Sequence, residues 1–334
     1  MPPTETVPQS IGNPYLWTGF GVLIFILLAL DLGVFHRKAH EVRAREALGW
    51  SIFWIALALL FNAALWIYTK DEKKAFEFFT AYVVEKSLSV DNLFVFLVIF
   101  SYFQVPPQYQ HKVLFWGILG ALGMRAIFIF GGLVLLEHLH WMIYVFGGIL
   151  ILTGIKLCVK SDGKVDPSKN IFLRIAKRMF PTVTEYFGSH FIVRHEGRLH
   201  LTPLLLVLIV VESTDVIFAV DSVPAVLGIS KDPFIVYTSN VFAILGLRAL
   251  YFFLAAIMDK FHLLKYGLGV VLAFVGVKMI LGEDKDHKDV IPIEISLAVI
   301  AGVLAISMAL SLMIKPKKDE PPPPPPPPPP TLNP

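Results

Sequence analysis

Nine stretches of this sequence are each long and apolar enough to cross a lipid bilayer, and this constrains the fold more than any other feature. A hydrocarbon core of roughly 30 Å needs about 20 apolar residues in a helix. Runs of that kind occupy residues 15–35, 50–68, 78–101, 112–136, 141–159, 201–229, 234–257, 262–281 and 291–314. The expected fold class is all-α: a polytopic membrane helical bundle of about nine spans over residues 15–314, after an external N-terminus, 1–14, and before a tail, 315–334. Composition agrees. Of 334 residues 55% are hydrophobic and 16% charged, with a mean hydropathy of +0.66, where a soluble domain would carry about 25% charge. Lipid is therefore the expected solvent for much of the surface. A net charge of +3 is too small to argue for nucleic acid. The single cysteine, Cys158, allows neither a disulfide framework nor a thiolate metal cluster. Residues 1–14 hold no Lys or Arg, so the first run reads as a retained span and not as a cleaved signal peptide.

Orientation follows from the basic residues in the connections. With the N-terminus outside and the C-terminus in the cytoplasm, the inside connections hold 18 Lys and Arg against 6 outside. Two segments do not span. Residues 160–200 form a basic cytoplasmic loop in which Ile171, Phe172, Ile175 and Met179 recur at helical spacing beside Arg174, Lys177 and Arg178. That pattern suits an amphipathic helix on the anionic inner leaflet, or an ordinary helix packed on the bundle. The tail ends in ten prolines, Pro321 to Pro330, expected to be a solvated, disordered polyproline II rod that could dock a protein partner through an aromatic groove.

Two parts of the chain echo each other. The run from Glu85 to Asn92 aligns with that from Asp215 to Ser222, acid matching acid at Glu85/Asp215 and Asp91/Asp221. Gly123-Met124-Arg125-Ala126 matches Gly246-Leu247-Arg248-Ala249. His140, Tyr144, Gly154 and Lys156 reappear 122 residues later as His262, Tyr266, Gly276 and Lys278. Three matches in the same order predict a 3+3 repeat, spans 3–5 (residues 78–159) and spans 6–8 (residues 201–281). The third span starts outside and the sixth inside, so the repeat is inverted. Secondary transporters recurrently use this construction, with substrate bound near the midplane at the repeat interface. An old duplication kept for packing is the alternative.

The repeated positions are ionisable. Asp31, Glu85, Asp91, Glu212, Asp215 and Asp221 fall within apolar spans, as do Lys86, Arg125, Lys156, Arg248 and Lys278. A charge at the centre of a span costs ~2.5–3.5 kcal/mol on insertion scales, so these groups must pair, bind an ion or be protonated. Lys156 and Lys278 lie near span ends, where a lysine snorkels to the interface. Asp31 is near an inner end, within reach of water or Arg37. Arg125 and Arg248 are deeper and read as counter-ions of the acids. Asn62 is either a ligand or a helix-packing amide. On a helix Glu85, Ser89 and Asn92 share a face, as do Asp215 and Ser222, and Glu212 with Asp215. Asp91 and Asp221 point about 120° away from their partner acids. Either the helices break locally, with Pro203 and Pro224 as candidates, or each acid pair splits between an ion and an arginine.

Carboxylate, amide and hydroxyl oxygens suit hard divalent cations such as Mn²⁺, Mg²⁺ or Ca²⁺. All ten histidines lie in connections or at span ends, which disfavours imidazole-rich zinc or copper sites and a buried hydrolase. No His-Glu-x-x-His occurs, so an intramembrane metalloprotease is disfavoured too, and the chain is not expected to be an enzyme or to hold a resident cofactor. The candidate metal ligands are Glu85, Asp91, Asn92, Glu212, Asp215, Asp221, Ser222 and Asn240, with Arg125 and Arg248 as charge partners. Metal-for-proton exchange is a plausible coupling at such a site. The rival expectation is a non-transporting membrane scaffold or stress-response component whose buried charges are structural.

Glu85-Lys86-Ser-Leu-Ser-Val-Asp91-Asn92 and Val211-Glu212-Ser-Thr-Asp215-Val-Ile-Phe-Ala-Val-Asp221-Ser222-Val-Pro224 closely resemble the paired signatures of the TerC family, its Alx-like members in particular. Thr238-Ser-Asn240-Val-Phe-Ala-Ile-Leu-Gly-Leu-Arg248-Ala continues the resemblance, which spans about residues 12–312 and excludes the proline tail. It implies a multi-pass protein of the bacterial inner membrane within the LysE-like transporter group, associated with manganese export and named for tellurite resistance. The family's acidic motif residues map onto Glu85, Asp91, Glu212, Asp215 and Asp221.

Overall fold

A computed structural model describes residues 10–35, 44–139, 141–159, 170–195, 197–255, 263–281 and 290–314; of Asp31 and Asp91 it describes the backbone alone. The proline tail, His140, His262, Arg37 and residues 160–169 of the expected cytoplasmic loop lie outside the described residues.

The described chain is a helical bundle with one small hairpin. Its elements are α1 (Pro14–Phe35), α2 (Ala44–Thr69), α3 (Glu72–Tyr102), α4 (Pro107–His138), α5 (Met142–Val159), α6 (Ile171–Met179), β1 (Ile192–His195), β2 (Arg198–Leu201), α7 (Pro203–Leu227), α8 (Pro233–Leu245), α9 (Leu247–Ala255), α10 (Leu264–Leu281) and α11 (Ile293–Met313). Helix starts follow local chemistry. Asp71 and Asp232 accept backbone N–H bonds as N-caps of α3 and α8, and proline opens α4, α7 and α8, where a missing N–H costs nothing.

Among the described residues six helices, α2, α4, α5, α7, α10 and α11, are long and apolar enough to cross a membrane, and the pair α8–α9, bent by 41°, makes a seventh if it is one broken span. Fewer helices meet this measure than the nine runs expected. α1 itself runs for 22 residues, with side chains described from Pro14 to Leu30, and Glu85, Lys86 and Asp91 interrupt the apolar stretch of α3. Apolar side chains face outward in belts, among them Phe25, Leu60, Ile127 and Leu152, each 66–74% exposed, which lipid and not water would solvate.

Interior packing pairs helices of the two segments that echo each other in sequence. α3 packs on α8, α4 on α7, and α5 against α10. The last pair is antiparallel, because Gly147 lies against Gly276 while Gly154 lies against Gly269. A Cβ on Gly276 would stand 2.7 Å from the Gly147 carbonyl, and one on Gly269 2.7 Å from that of Gly154. Small residues admit this backbone approach, which is how helices associate where lipid removes the hydrophobic drive. Lys156 on α5 is exposed, as expected near a span end, but its repeat mate Lys278 on α10 is 7% exposed and does not reach the surface.

An aromatic cluster joins α1, α2, α3 and α8. Phe61 packs at a tilt against Phe242 at 4.8 Å and Phe78 at 5.4 Å, while Trp17 meets Phe234 edge-on at 5.0 Å.

Of the two arrangements expected for the helix of the 160–200 loop, α6 shows contact with the bundle. Asn170, its N-cap, donates to Ser213 Oγ at 2.7 Å, and Pro181, just past its end, accepts from Leu201 N at 2.9 Å. α6 therefore runs back along the first three turns of α7. Leu173 is its buried contact, whereas Ile171, Phe172, Ile175 and Met179 are 49–68% exposed. The segment behind it is pinned by Tyr186, whose hydroxyl donates to the Phe103 carbonyl at 2.8 Å, and by Lys112, which donates to the Ser189 carbonyl.

Candidate buried charge site

Arg125 organises the centre of the bundle. It is 1% exposed on α4 and donates through Nη1 to Glu85 Oε1 of α3 at 2.5 Å and to Ser222 Oγ of α7 at 2.7 Å. Its Nε stands 3.7 Å from Asp215 Oδ2, close enough for charge attraction and too far for a hydrogen bond. One guanidinium thus lies between an acid from each half of the chain. Uncompensated charge in a dry interior is costly. With both acids ionised, this trio retains one negative charge.

Unused oxygens gather on the same residues. Glu85 Oε2 and Asp215 Oδ2 have no hydrogen-bond donor, and neither does the hydroxyl of Ser89, one turn after Glu85 on the same face, have a partner. The Asn240 amide of α8 faces the Glu85 carboxyl, with neither amide atom in hydrogen-bond geometry. Buried polar atoms are normally satisfied. Here acceptors from three helices are left open around one spot that is short of positive charge.

The remaining candidate residues are placed differently. Asn92 is buried on the Glu85 face of α3. Glu212, one turn before Asp215, presses its carboxylate onto Gly120 of α4, where any Cβ would collide with it. Asp221 turns away toward α5 and accepts from Thr153 Oγ1 at 2.9 Å, with Lys156 near enough to act on its charge. Arg248 is 2% exposed at the start of α9. The side chain of Asp91 lies outside the described residues. Among the described residues, no three acids, histidines or cysteines are grouped as a metal cage.

The choice left open by helical geometry is thereby decided for α7. Neither α3 nor α7 breaks: Pro203 opens α7, Pro224 lies within its last turn, and the helix runs on to Leu227. The acids split instead, Asp215 to Arg125 and Asp221 to Thr153. The chain breaks between α8 and α9, at Gly246. Sequence reasoning missed Thr153 and Gly120. A hydroxyl or glycine in an apolar run signals nothing until its neighbour across the interface is known.

Comparison with known proteins agrees with this architecture. The model of the integral membrane protein TerC family matches residues 70–319. An uncharacterized membrane protein of Myxococcus xanthus is 50% identical over 309 residues, covering 92% of this chain and 95% of that protein. Proteins named "Putative membrane-bound redox modulator Alx" are 45% identical in Salmonella typhi, over 319 residues, and in Escherichia coli K12, over 322 residues; each match covers 93% of this chain and 98% of the relative. No solved structure matches. This chain is a multi-pass membrane protein of the TerC family.

Proposed function

We propose that this protein exports divalent metal ions, manganese foremost, through a site between α3 and α7, and exchanges them for protons. The observation that carries the reading is the set of donor-free oxygens on Glu85, Asp215, Ser89 and Asn240 beside a single arginine. Hard oxygen donors with one residual negative charge suit a hard dication, which would bring positive charge into an anion-rich site. Because Arg125 already neutralises part of that charge, the ion is held loosely enough to leave. Asp221 and Glu212, half-buried on the same helix, serve as stations on either side, with Asp91, Asn92 and Ser222 beside them. Arg248 holds the acids of the empty site together with Arg125. No resident cofactor is required.

The transport frame is a nine-span bundle in which α1, α3 and the α8–α9 pair also cross the bilayer, with the N-terminus outside and the C-terminus inside the bacterial inner membrane. Spans α3–α5 and α7–α10 form the inverted repeat. Support comes from the Gly147/Gly276 and Gly154/Gly269 contacts: at the 122-residue offset Gly147 matches Gly269 and Gly154 matches Gly276, so exchanging the halves turns each contact into the other, as a two-fold axis between antiparallel α5 and α10 requires.

The rival reading, a non-transporting component with structural charges, draws on the closed Arg125–Glu85 pair and on the lack of a three-acid cage among the described residues. The relatives' name suggests redox modulation. With one cysteine this chain can form no internal thiol–disulfide couple, so any such effect would pass through the ions it moves. Mn²⁺ flux in reconstituted vesicles tests the proposal. Wild type should move the ion, and Asp91→Asn with Asp221→Asn should lose most of the rate; equal rates would exclude these acids from the path. Removing residues 316–334 should leave flux and metal tolerance intact, whereas a scaffold acting through its tail should lose its phenotype.

A further inference from the structure

We propose that Lys86 is the positioning residue for a hinge at Gly246, which makes the two halves of the bundle mechanically unequal. The ammonium of Lys86 on α3 donates to the Ala243 carbonyl at 3.0 Å, within the last turn of α8. In an unbroken helix that carbonyl would take the Leu247 N–H. Here the axis bends by 41° between α8 and α9. The carbonyl end of a helix attracts cations, and a lysine delivered from a neighbouring helix is a tethered one. Gly246 makes the approach possible: a Cβ there would stand 2.7 Å from Lys86 Nζ and 3.0 Å from the Cβ of Trp54 on α2.

The duplication supplies an internal control. Gly123-Met124-Arg125-Ala126 matches the Gly246–Ala249 sequence, yet α4 runs unbroken from Pro107 to His138, and a Cβ on Gly123 would meet nothing within 4 Å. In the second acidic signature, carried by α7, the position of Lys86 is held by Val216. Lysine and break occur together where α3 meets α8, and both are missing where α7 meets α4. The bend sets the direction of α9, which carries buried Arg248 at its second residue. Lys86 therefore orients the second arginine without touching the proposed ion.

The test reads geometry in the full-length chain and does not depend on whether ions are carried. In a Cys158→Ser background, nitroxide labels replace Tyr102 and Ala255, exposed residues at the ends of α3 and α9, and pulsed dipolar spectroscopy measures their separation in lipid nanodiscs. A nine-residue arm turning through 41° moves its tip by about 9 Å, which bounds the effect. Lys86→Met should shift the mean distance by several ångströms or broaden the distribution. Lys86→Arg should keep the wild-type distribution, as should Val216→Met. A Lys86→Met distribution that superimposes on wild type overturns the proposal, and so does an equal displacement in Lys86→Arg. If Lys86→Met fails to insert, Gly246→Ala should force the ammonium off the carbonyl and give the same displacement, and an unchanged distribution there is equally decisive against it.

Discussion

Arg125 on α4 and Asp215 on α7 face each other 3.7 Å apart at the centre of the bundle, an arginine from the first half of the chain held beside an acid from the second. The same guanidinium closes on Glu85 and Ser222, so three helices meet on one side chain.

Removing that side chain should be severe. Arg125→Met leaves two buried carboxylates without their cation, a class of change that costs about 3–5 kcal/mol. Arg125→Lys should fall between, since an ammonium restores charge but cannot reach three partners as a planar fork does. Thermal unfolding in detergent should rank the variants wild type, Lys, Met. Added Mn²⁺ should raise the midpoint of Arg125→Met more than that of wild type, because the ion supplies the missing charge.

Gly120→Ala tests whether the Glu212 carboxylate needs its seat. A methyl group there collides with both carboxylate oxygens, so Glu212 must swing away. Flux should fall with little loss of stability, because the displaced group is half-buried and can reach water. Gly123→Ala, three residues on in open space, should be silent in both measurements.

The α5–α10 contact is a packing prediction of opposite character. Gly154→Ala drives a methyl group into the backbone of Gly269 and Ala273, and overpacking of this kind costs about 1–3 kcal/mol. Gly276→Ala should cost a similar amount, as the symmetric partner. Denaturant unfolding that found one change costly and the other neutral would contradict the reciprocal arrangement.

Tyr186 gives a pH-dependent check on the loop between α6 and β1. Burial pushes its phenol up to about 12 from an ordinary 10.0. The folded state thus holds its proton more tightly than the unfolded chain. The contribution is complete below pH 10 and is lost as pH rises from 10 toward 12. The absorbance difference between wild type and Tyr186→Phe should report one phenol ionising near the top of that range, and ionisation near pH 10 would place the ring in solvent.

Much of this arrangement could be read before the fold. Apolar length marks spans because lipid admits little else, and the i, i+4, i+7 rule put Glu85, Ser89 and Asn92 on one face, all now buried. The same geometry foresaw that Asp215 and Asp221 cannot share a target on a straight helix. What escaped depends on contacts between segments. Prolines drew attention as helix breakers at 203 and 224, but a proline at a first turn breaks nothing, and the break fell at Gly246, where a lysine from another helix arrives. The apolar rows of α6 identified its faces and could not say that α7 would hold one of them. Lys278 near its helix end looked free to reach water; the packing of α10 keeps it inside.

The central claim is that the oxygens around Arg125 hold a divalent ion, and counting Mn²⁺ bound to the purified full-length protein tests it most directly. Loss of the free Mn²⁺ paramagnetic signal on titration should show saturable binding to wild type. The Glu85→Gln/Asp215→Asn double variant, checked as folded by its unfolding midpoint, should weaken that binding at least about tenfold, as loss of a charged contact worth ~1.4 kcal/mol or more implies. Binding unchanged in the folded double variant, or no binding to wild type at all, would contradict the account.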